Sequence, residues 1–509
     1  MNEHASPLDV SSNSQLRSND EEGGDVTDKD YLLNMPSQTN ENSILVEFSE
    51  GDPGSPFNWS RRKKLFHTAI YGLATFSAQL NSTTTSPSVS HLGEYFNVSR
   101  EKALLATSLY VLGIAFGPMF FAPLSEMYGR KIAIFGSLLV SMVFTLGSAS
   151  SKDFASLLAT RFFAGFFGGS PVVSSGGVLS DFWSIRVRSI AMVFYAMFVV
   201  CGTTLGPVIC SLLTFQVGGA DEWRWPLWFS CIVQGFLMVV AVFTVSESHS
   251  GVLLTYRAKE IRKKTGNWAH HAKHEEWDLD LNEYLTIHLL RPFAMLATPI
   301  VFFLALFASY VFGILYLIVT SLPLTFRMTR GWEGTVGNLP MLAVFVGVIL
   351  GGVANVWGGL RYRRILLANN GVPVPEERFP PMMMFAWLMP TGLFIFAWTS
   401  WSHVHWIAPC IGLSCMAFGF FVIFQGCLNY LVDAFTKYAA SAIAANTFFR
   451  SILAGVFPLF GSALFGNLGV HWGASTIAFV ALGMIPIPFV FYAFGSKIRS
   501  KNPYSKRVD

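Results

Sequence analysis

A membrane span takes about 20 consecutive, mostly apolar residues, because each backbone N–H and C=O in hydrocarbon must find its partner within the same helix. Twelve stretches of this kind run through the chain, and no other feature restricts its possible folds so severely. Six precede residue 247, at about 67–90, 104–124, 132–150, 155–179, 189–213 and 226–246. Six follow residue 298, at about 299–322, 336–357, 382–400, 406–431, 439–465 and 473–494. Charged residues make up 13% of the 509, too few to cover a soluble protein of this length. The expected fold class is therefore an all-α membrane protein, with twelve transmembrane helices in two six-helix halves. The halves occupy 59–246 and 299–496, joined by a polar middle loop at 247–298 and followed by a basic tail at 497–509. Residues 1–58 carry twelve acids against Arg17 and Lys29 and hold little apolar surface, so they read as a disordered acidic tail.

Lys and Arg set the orientation. With the N-terminus inside, 25 of the 35 basic residues fall on the cytoplasmic side and six in outer loops, which places both termini in the cytoplasm. Arg161 and Arg450 lie inside spans, where a cation costs about 3 kcal/mol or more unless it faces a cavity or a partner. Each could line a cavity or be held structurally by backbone carbonyls. No acid falls near the middle of a span; Glu126, Asp181, Glu247 and Asp433 sit at span ends.

Several chemistries are excluded. No G-x-x-x-x-G-K-[ST] loop is present, so ATP does not drive this protein, and no nucleophile–base set marks an enzyme. The six cysteines all lie in apolar segments and read as small core residues. His270, His271 and His274, followed by Glu275 and Glu276, read as a solvated loop helix rather than a metal site. No cofactor and no nucleic-acid partner is expected.

Three runs carry more specific information. In Gly117–Lys131, Glu126 and Arg130 are four apart and meet on one helical turn, and Gly129 allows positive φ. With Asp181, they read as a cytoplasmic latch between helices, or as a topology anchor supplied by Arg130 and Lys131. In span 4, Arg161 opens the run Arg161-Phe-Phe-Ala-Gly165-Phe-Phe-Gly168-Gly169-Ser170-Pro171. In span 5, Gly202, Gly206 and Pro207 make a small-xxx-small packing face that ends in a kink. Gln79, Asn81, Tyr195, Gln234, Tyr310, Tyr316, Gln425, Asn429 and Asn446 are polar groups within spans. Singly each reads as glue between helices; together with Arg450 they suffice to line one amphipathic pocket between the halves. Asn97-Val98-Ser99 is a glycosylation sequon on an outer loop, close to the membrane.

This combination resembles the major facilitator superfamily, in its fungal twelve-span drug:proton antiporter branch, from about Asn58 to Arg499. The three runs are similar to that family's motifs A, B and C, with Glu126 where motif A usually has Asp and Cys210 and Ser211 where motif C usually has two glycines. Ser246-Glu247-Ser248, Arg291-Pro292-Phe293, the run Pro375–Pro381 and Asn429-Tyr430-Leu431-Val432-Asp433 resemble fungal members as well. The resemblance implies a monomeric secondary transporter in the plasma membrane that exports a small amphipathic compound by proton antiport. It implies proton coupling at Arg161 and a seal against leak at Gly202–Pro207. Alternatives are a polyamine exporter of the same family and a non-transporting sensor with this fold.

Overall fold

The computed structural model describes residues 44–217, 221–276, 286, 290–502 and 504. Its first half contains α1 (Arg61–Thr83), the short α2 (Val89–Phe96), α3 (Arg100–Met127), α4 (Arg130–Ala149), α5 (Phe154–Phe182), α6 (Ile185–Val217) and α7 (Trp225–Thr244). Helix α8 (Ser250–Thr265) belongs to the middle loop. The second half contains α9 (Arg291–Leu296), α10 (Pro299–Arg330), α11 (Met341–Ala368), α12 (Phe379–Phe385), α13 (Leu388–Thr399), α14 (Ile407–Ala434), α15 (Ala439–Met484) and α16 (Pro486–Lys501).

Local sequence sets the helix ends. Ser60, Ser99 and Asp153 each accept a hydrogen bond from the backbone N–H three residues on, so each caps a first turn. Gly331, at φ 67°, closes the C-terminus of α10 in the left-handed conformation that glycine adopts without strain. Glycine also decides which helices touch. A Cβ on Gly165 of α5 would meet the backbone of Tyr110 in α3, and one on Gly392 of α13 would meet the backbone of Gly412 and Met416 in α14. Where hydrocarbon surrounds the helices, such backbone contact replaces the hydrophobic effect as the source of association. Within the first half α3 packs on α5, α5 on α4 and α1 on α6; within the second, α10 packs on α15 and α14 on α11 and α13. Between halves, α3 lies against α15 and α6 against α11.

Ten helical segments among the described residues are long and apolar enough to cross a membrane, against the twelve expected from sequence. The difference has two causes. Helix α1, the first expected span, is continuous for 23 residues but carries four basic residues in its first turn and a polar end at Gln79–Thr83. The last two expected spans form one helical run, Ala439–Ser500, interrupted where Gly469 leaves the helical region at φ 71°, ψ 169°.

The acidic tail needs a second correction. Residues 1–43 lie outside the described residues, but 44–58 are ordered. Ile44–Leu45 forms a parallel strand, β1, with His270–His271, β2, so the histidine pair is a strand and not part of a helix. Val46 is buried against Ala258 and Ala272, and Asp52 pairs with Arg257. Of the three apolar residues here only Val46 is buried; Ile44 and Leu45 are exposed and contribute backbone pairing to β2. His271 pairs with Glu276 at 2.7 Å, and no His/Cys/Asp/Glu group among the described residues could hold a metal ion.

Candidate functional site

Glu126, Arg130 and Asp181 come together in the fold, around a residue the motif reading left out. Glu247, just beyond α7, caps the N-terminus of α4. Its Oε1 accepts from the backbone N–H groups of Arg130 (2.9 Å), Ser248 (2.8 Å) and His249 (2.9 Å), and its Oε2 from Lys131 (3.0 Å). A carboxylate there satisfies orphan donors and complements the positive helix end. Gly129 makes this approach possible: its φ is 100°, and a Cβ would sit 2.5 Å from the Glu247 carboxylate. The sequence signal was available in the run Ser246-Glu247-Ser248, but only the fold brings it to α4.

Arg130 is buried, and its Nε donates to Asp181 Oδ2 at 3.0 Å while Nη1 donates to Ser125 Oγ at 2.7 Å. Glu126 stands 3.7 Å from Nη1 with its side chain 37% exposed, which makes it a rim partner worth at most about 1 kcal/mol. Asp181, not the neighbour four residues back, is therefore the main counter-ion. Gly177, which the motif reading missed, gives Arg130 its room, since a Cβ there would lie 3.0 Å from the guanidinium. Lys131 joins the cluster through its backbone N–H alone, since its Nζ donates to the Val242 carbonyl at 3.1 Å, and Gly117 stands apart, facing the α5 backbone at Phe166 as a packing glycine. His249 caps α8 through Nδ1; burial, Arg130 and His274 push its pKa down to about 4.

The second half repeats the arrangement. Arg378 Nε donates to Asp433 Oδ2 at 2.7 Å, Arg361 pairs with Glu377 at 3.0 Å, and Arg499 with Glu376 at 3.1 Å. Beside this cluster a small recess opens between α6, α11 and α14, lined by Ser189, Asn355, Arg378 and Asn429 among others.

The two intramembrane arginines differ. Arg161 is fully buried, and each of its three nitrogens donates: Nε to Ala106 O (3.0 Å), Nη1 to Asn81 Oδ1 (3.0 Å) and Nη2 to Asn81 O (2.9 Å), with the guanidinium over the Tyr110 ring at 4.4 Å. Asn81 Nδ2 in turn donates to Thr145 Oγ1 at 2.8 Å. One guanidinium thus ties α5 to α1 and α3, and through Asn81 to α4. Arg450 is buried too, and among the described residues it makes neither hydrogen bond nor ion pair; it lies over Phe312 at 4.5 Å and Phe424 at 5.0 Å.

The other pocket candidates do not form one set. Gln79 and Ser82 on α1 meet the Tyr316 hydroxyl of α10, at 3.3 Å and 2.8 Å, which joins the two halves. Tyr195 donates to the Val172 carbonyl at 2.6 Å and Tyr310 to that of Ile477 at 2.7 Å, so both act as helix-to-helix ties. Gln234 and Asn446 are buried with neither carboxamide atom bonded among the described residues, and Gln425 Oε1 likewise has no partner among them. A Cβ on Gly202 would lie 2.5 Å from the Phe76 carbonyl and one on Gly206 would strike Thr83 Oγ1, so α6 seats directly on α1 ahead of Pro207. Asn97 is exposed in the left-handed conformation (φ 51°) at the end of α2, two residues before the Ser99 cap of α3.

Comparison with known proteins bears on this architecture directly. Residues 71–458 match the family model described as Major Facilitator Superfamily. The chain is 40% identical to "Efflux pump bik6" of Gibberella fujikuroi over 91% of its own length and 95% of the relative's. It is 35% identical to "Major facilitator superfamily multidrug transporter FLU1" of Candida albicans, over 89% of this chain and 75% of that one. Among solved structures, the proton:xylose symporter XylE shares the fold with a TM-score of 0.60 at 14% identity, covering 86% of this chain and 96% of XylE. This multi-pass membrane protein belongs to the Major Facilitator Superfamily, a family of transporters and not of enzymes.

Proposed function

We propose that this protein exports a small amphipathic organic compound from the cell by proton antiport, with the two halves rocking about a site between them. The observation that carries this reading is the form of the contact between halves. Helices α3 and α6 lie against α15 and α11, and the buried hydroxyl of Tyr316 bridges to Ser82 and Gln79 across the join. Such contacts can part and reform without either half unfolding, while Arg161 ties α5 to α1 and α3 within the first half. The names of the relatives, an efflux pump and a multidrug transporter, support the outward direction and the cargo class.

Under this reading α1 and both parts of the run 439–500 cross the membrane, which makes twelve spans with both termini inside, in the plasma membrane, and a single chain is the transport unit. Arg130, Asp181 and Glu126 hold one conformation and separate in the other. Gly202, Gly206 and Pro207 keep α6 sealed on α1 against leak. Polyamine cargo is disfavoured, because the spans carry no acid near their middles to receive a polycation.

The test is efflux from a host stripped of its own exporters, at acidic and at neutral external pH. Expression should lower accumulation of apolar aromatic toxicants, more strongly at acidic external pH. Equal efflux at both values would remove the proton from the mechanism. Protection against spermidine without protection against apolar toxicants would replace the cargo class. Normal efflux by Arg161→Ala would remove that residue from any role in transport.

A further inference from the structure

A guanidinium buried among helices keeps its charge, so its N–H groups need acceptors from the protein, from water or from a ligand. Arg161 shows how this chain meets that need, with three protein acceptors in place. Arg450 is as deeply set, 4% exposed, and has none among the described residues; its Nε is completely enclosed. No carboxylate of the described residues pairs with it. What surrounds it instead is aromatic. Phe312 of α10 and Phe424 of α14 present their faces to the guanidinium, with their ring centres 5.6 Å apart.

Two further groups share its condition. Asn446 lies four residues before Arg450, hence on the same face of α15, and is 0% exposed with Nδ2 and Oδ1 both unbonded. Gln425, next to Phe424 on α14, is 2% exposed with Oε1 unbonded. Buried polar groups in a folded protein are bonded in the great majority of cases, and Arg450 and Asn446, one turn apart on α15 and both without a hydrogen bond among the described residues, mark a place built for something else. A cation flanked by two phenyl faces and by a carboxamide fits a planar anion with an apolar body.

We propose that Arg450, with Asn446 one turn before it and Phe312 and Phe424 as walls, is a subsite for organic anions, so that the preferred cargo is an aromatic carboxylate or phenolate. The anion takes the guanidinium as a paired acceptor, the rings of the cargo lie along the two phenylalanines, and the Asn446 carboxamide selects a hydroxyl or carbonyl on it. This inference rests on the export reading and narrows its cargo. The site belongs to α10, α14 and α15, and Tyr316, one turn along α10 from Phe312, carries the bridge to the first half. A ligand held here therefore acts next to a contact that joins the halves.

The experiment compares three probes of matched shape, 2-naphthoate, 2-naphthamide and 2-naphthylmethylamine, for binding to the full-length chain in nanodiscs and for export from proteoliposomes. The naphthoate should bind at least about tenfold more tightly than the amide in the wild-type protein, a margin expected when a charge-matched acceptor is removed from a buried donor. Arg450→Gln should abolish that preference and retain the amide's weaker binding, and Arg450→Lys should restore part of it. Equal affinity for acid and amide, or a preference that survives Arg450→Gln, overturns the subsite while leaving the export reading in place if the amide is exported. Preference for the amine overturns the anion assignment in favour of cationic cargo. No export of any probe or of apolar toxicants brings down the export reading itself. The acid–amide comparison needs only wild-type protein, so a variant that failed to fold would not blunt the test.

Discussion

Replacing each intramembrane arginine in turn by methionine separates a structural brace from a binding group. Both guanidinium groups are buried, so the desolvation penalty relieved by their removal, about 3 kcal/mol in such a setting, is common to Arg161→Met and Arg450→Met and cancels in the comparison. The hydrogen bonds do not cancel. Arg161→Met takes donors from Ala106 O, Asn81 O and Asn81 Oδ1. At about 0.6 kcal/mol per bond, the average between membrane helices, this costs about 2 kcal/mol. At about 2 kcal/mol, typical of bonds to charged groups in water-soluble proteins, it costs about 6 kcal/mol. Arg450→Met removes no such bond, and its contacts with Phe312 and Phe424 offset the contact of Arg161 with Tyr110 to within about 1 kcal/mol. The Arg161 variant should therefore be less stable than the Arg450 variant by about 2–6 kcal/mol. For a half of roughly 200 residues that is about 5 °C or more in melting temperature. A thiol-reactive fluorophore reads the transition, because Cys210, Cys231, Cys410 and Cys427 are free and buried. Arg450→Met should melt at or above the wild type. Equal melting of the two variants, or the reverse order, would refute the division of labour between the arginines.

Three further outcomes follow from the geometry. Glu247→Gln loses the charge and the acceptor for Lys131 N–H at the start of α4, at a cost of about 2 kcal/mol; amide exchange at Arg130 and Lys131 should accelerate, and unchanged exchange would remove Glu247 as the cap. His249 is neutral in the fold because its pKa lies at about 4, below the ordinary 6.5, so the unfolded chain binds the extra proton between those values and stability is lost as pH falls through that window. Melting temperature should fall as pH drops through that window, and His249→Asn, which still caps but does not titrate, should flatten the pH profile of melting. Gly202→Leu forces a side chain onto the Phe76 carbonyl and should sharply lower the yield of folded protein in gel filtration, whereas Gly136→Ala, with open space around it, should not.

Much of the architecture was legible in one dimension. Uninterrupted apolar runs, end-capping residues and the Lys/Arg distribution are local quantities, and they yielded helices with turns in the expected places. The count of spans was less legible at both ends: α1 trades hydropathy for Gln79, Asn81 and Ser82, which bond to neighbouring helices, and Gly469 breaks 439–500 within a continuous run. The docking of 44–58 was missed because a short strand edge is stable only against a partner more than 200 residues away. The latch was half visible. Glu126 and Arg130 are four apart, which sequence shows, but the stronger pairing of Arg130 with Asp181 spans 51 residues and the capping by Glu247 spans 117.

Sequence alone determined that this chain is a bundle of membrane helices of the Major Facilitator Superfamily, because apolar length and helix-terminal chemistry act over a few residues at a time. It also placed two arginines where hydrocarbon would forbid an idle charge. Only the tertiary structure decided which one the protein itself satisfies. Partners for a buried cation come from whichever helices the packing brings alongside: carbonyl and carboxamide oxygens for Arg161, two phenyl faces and, among the described residues, no acceptor for Arg450.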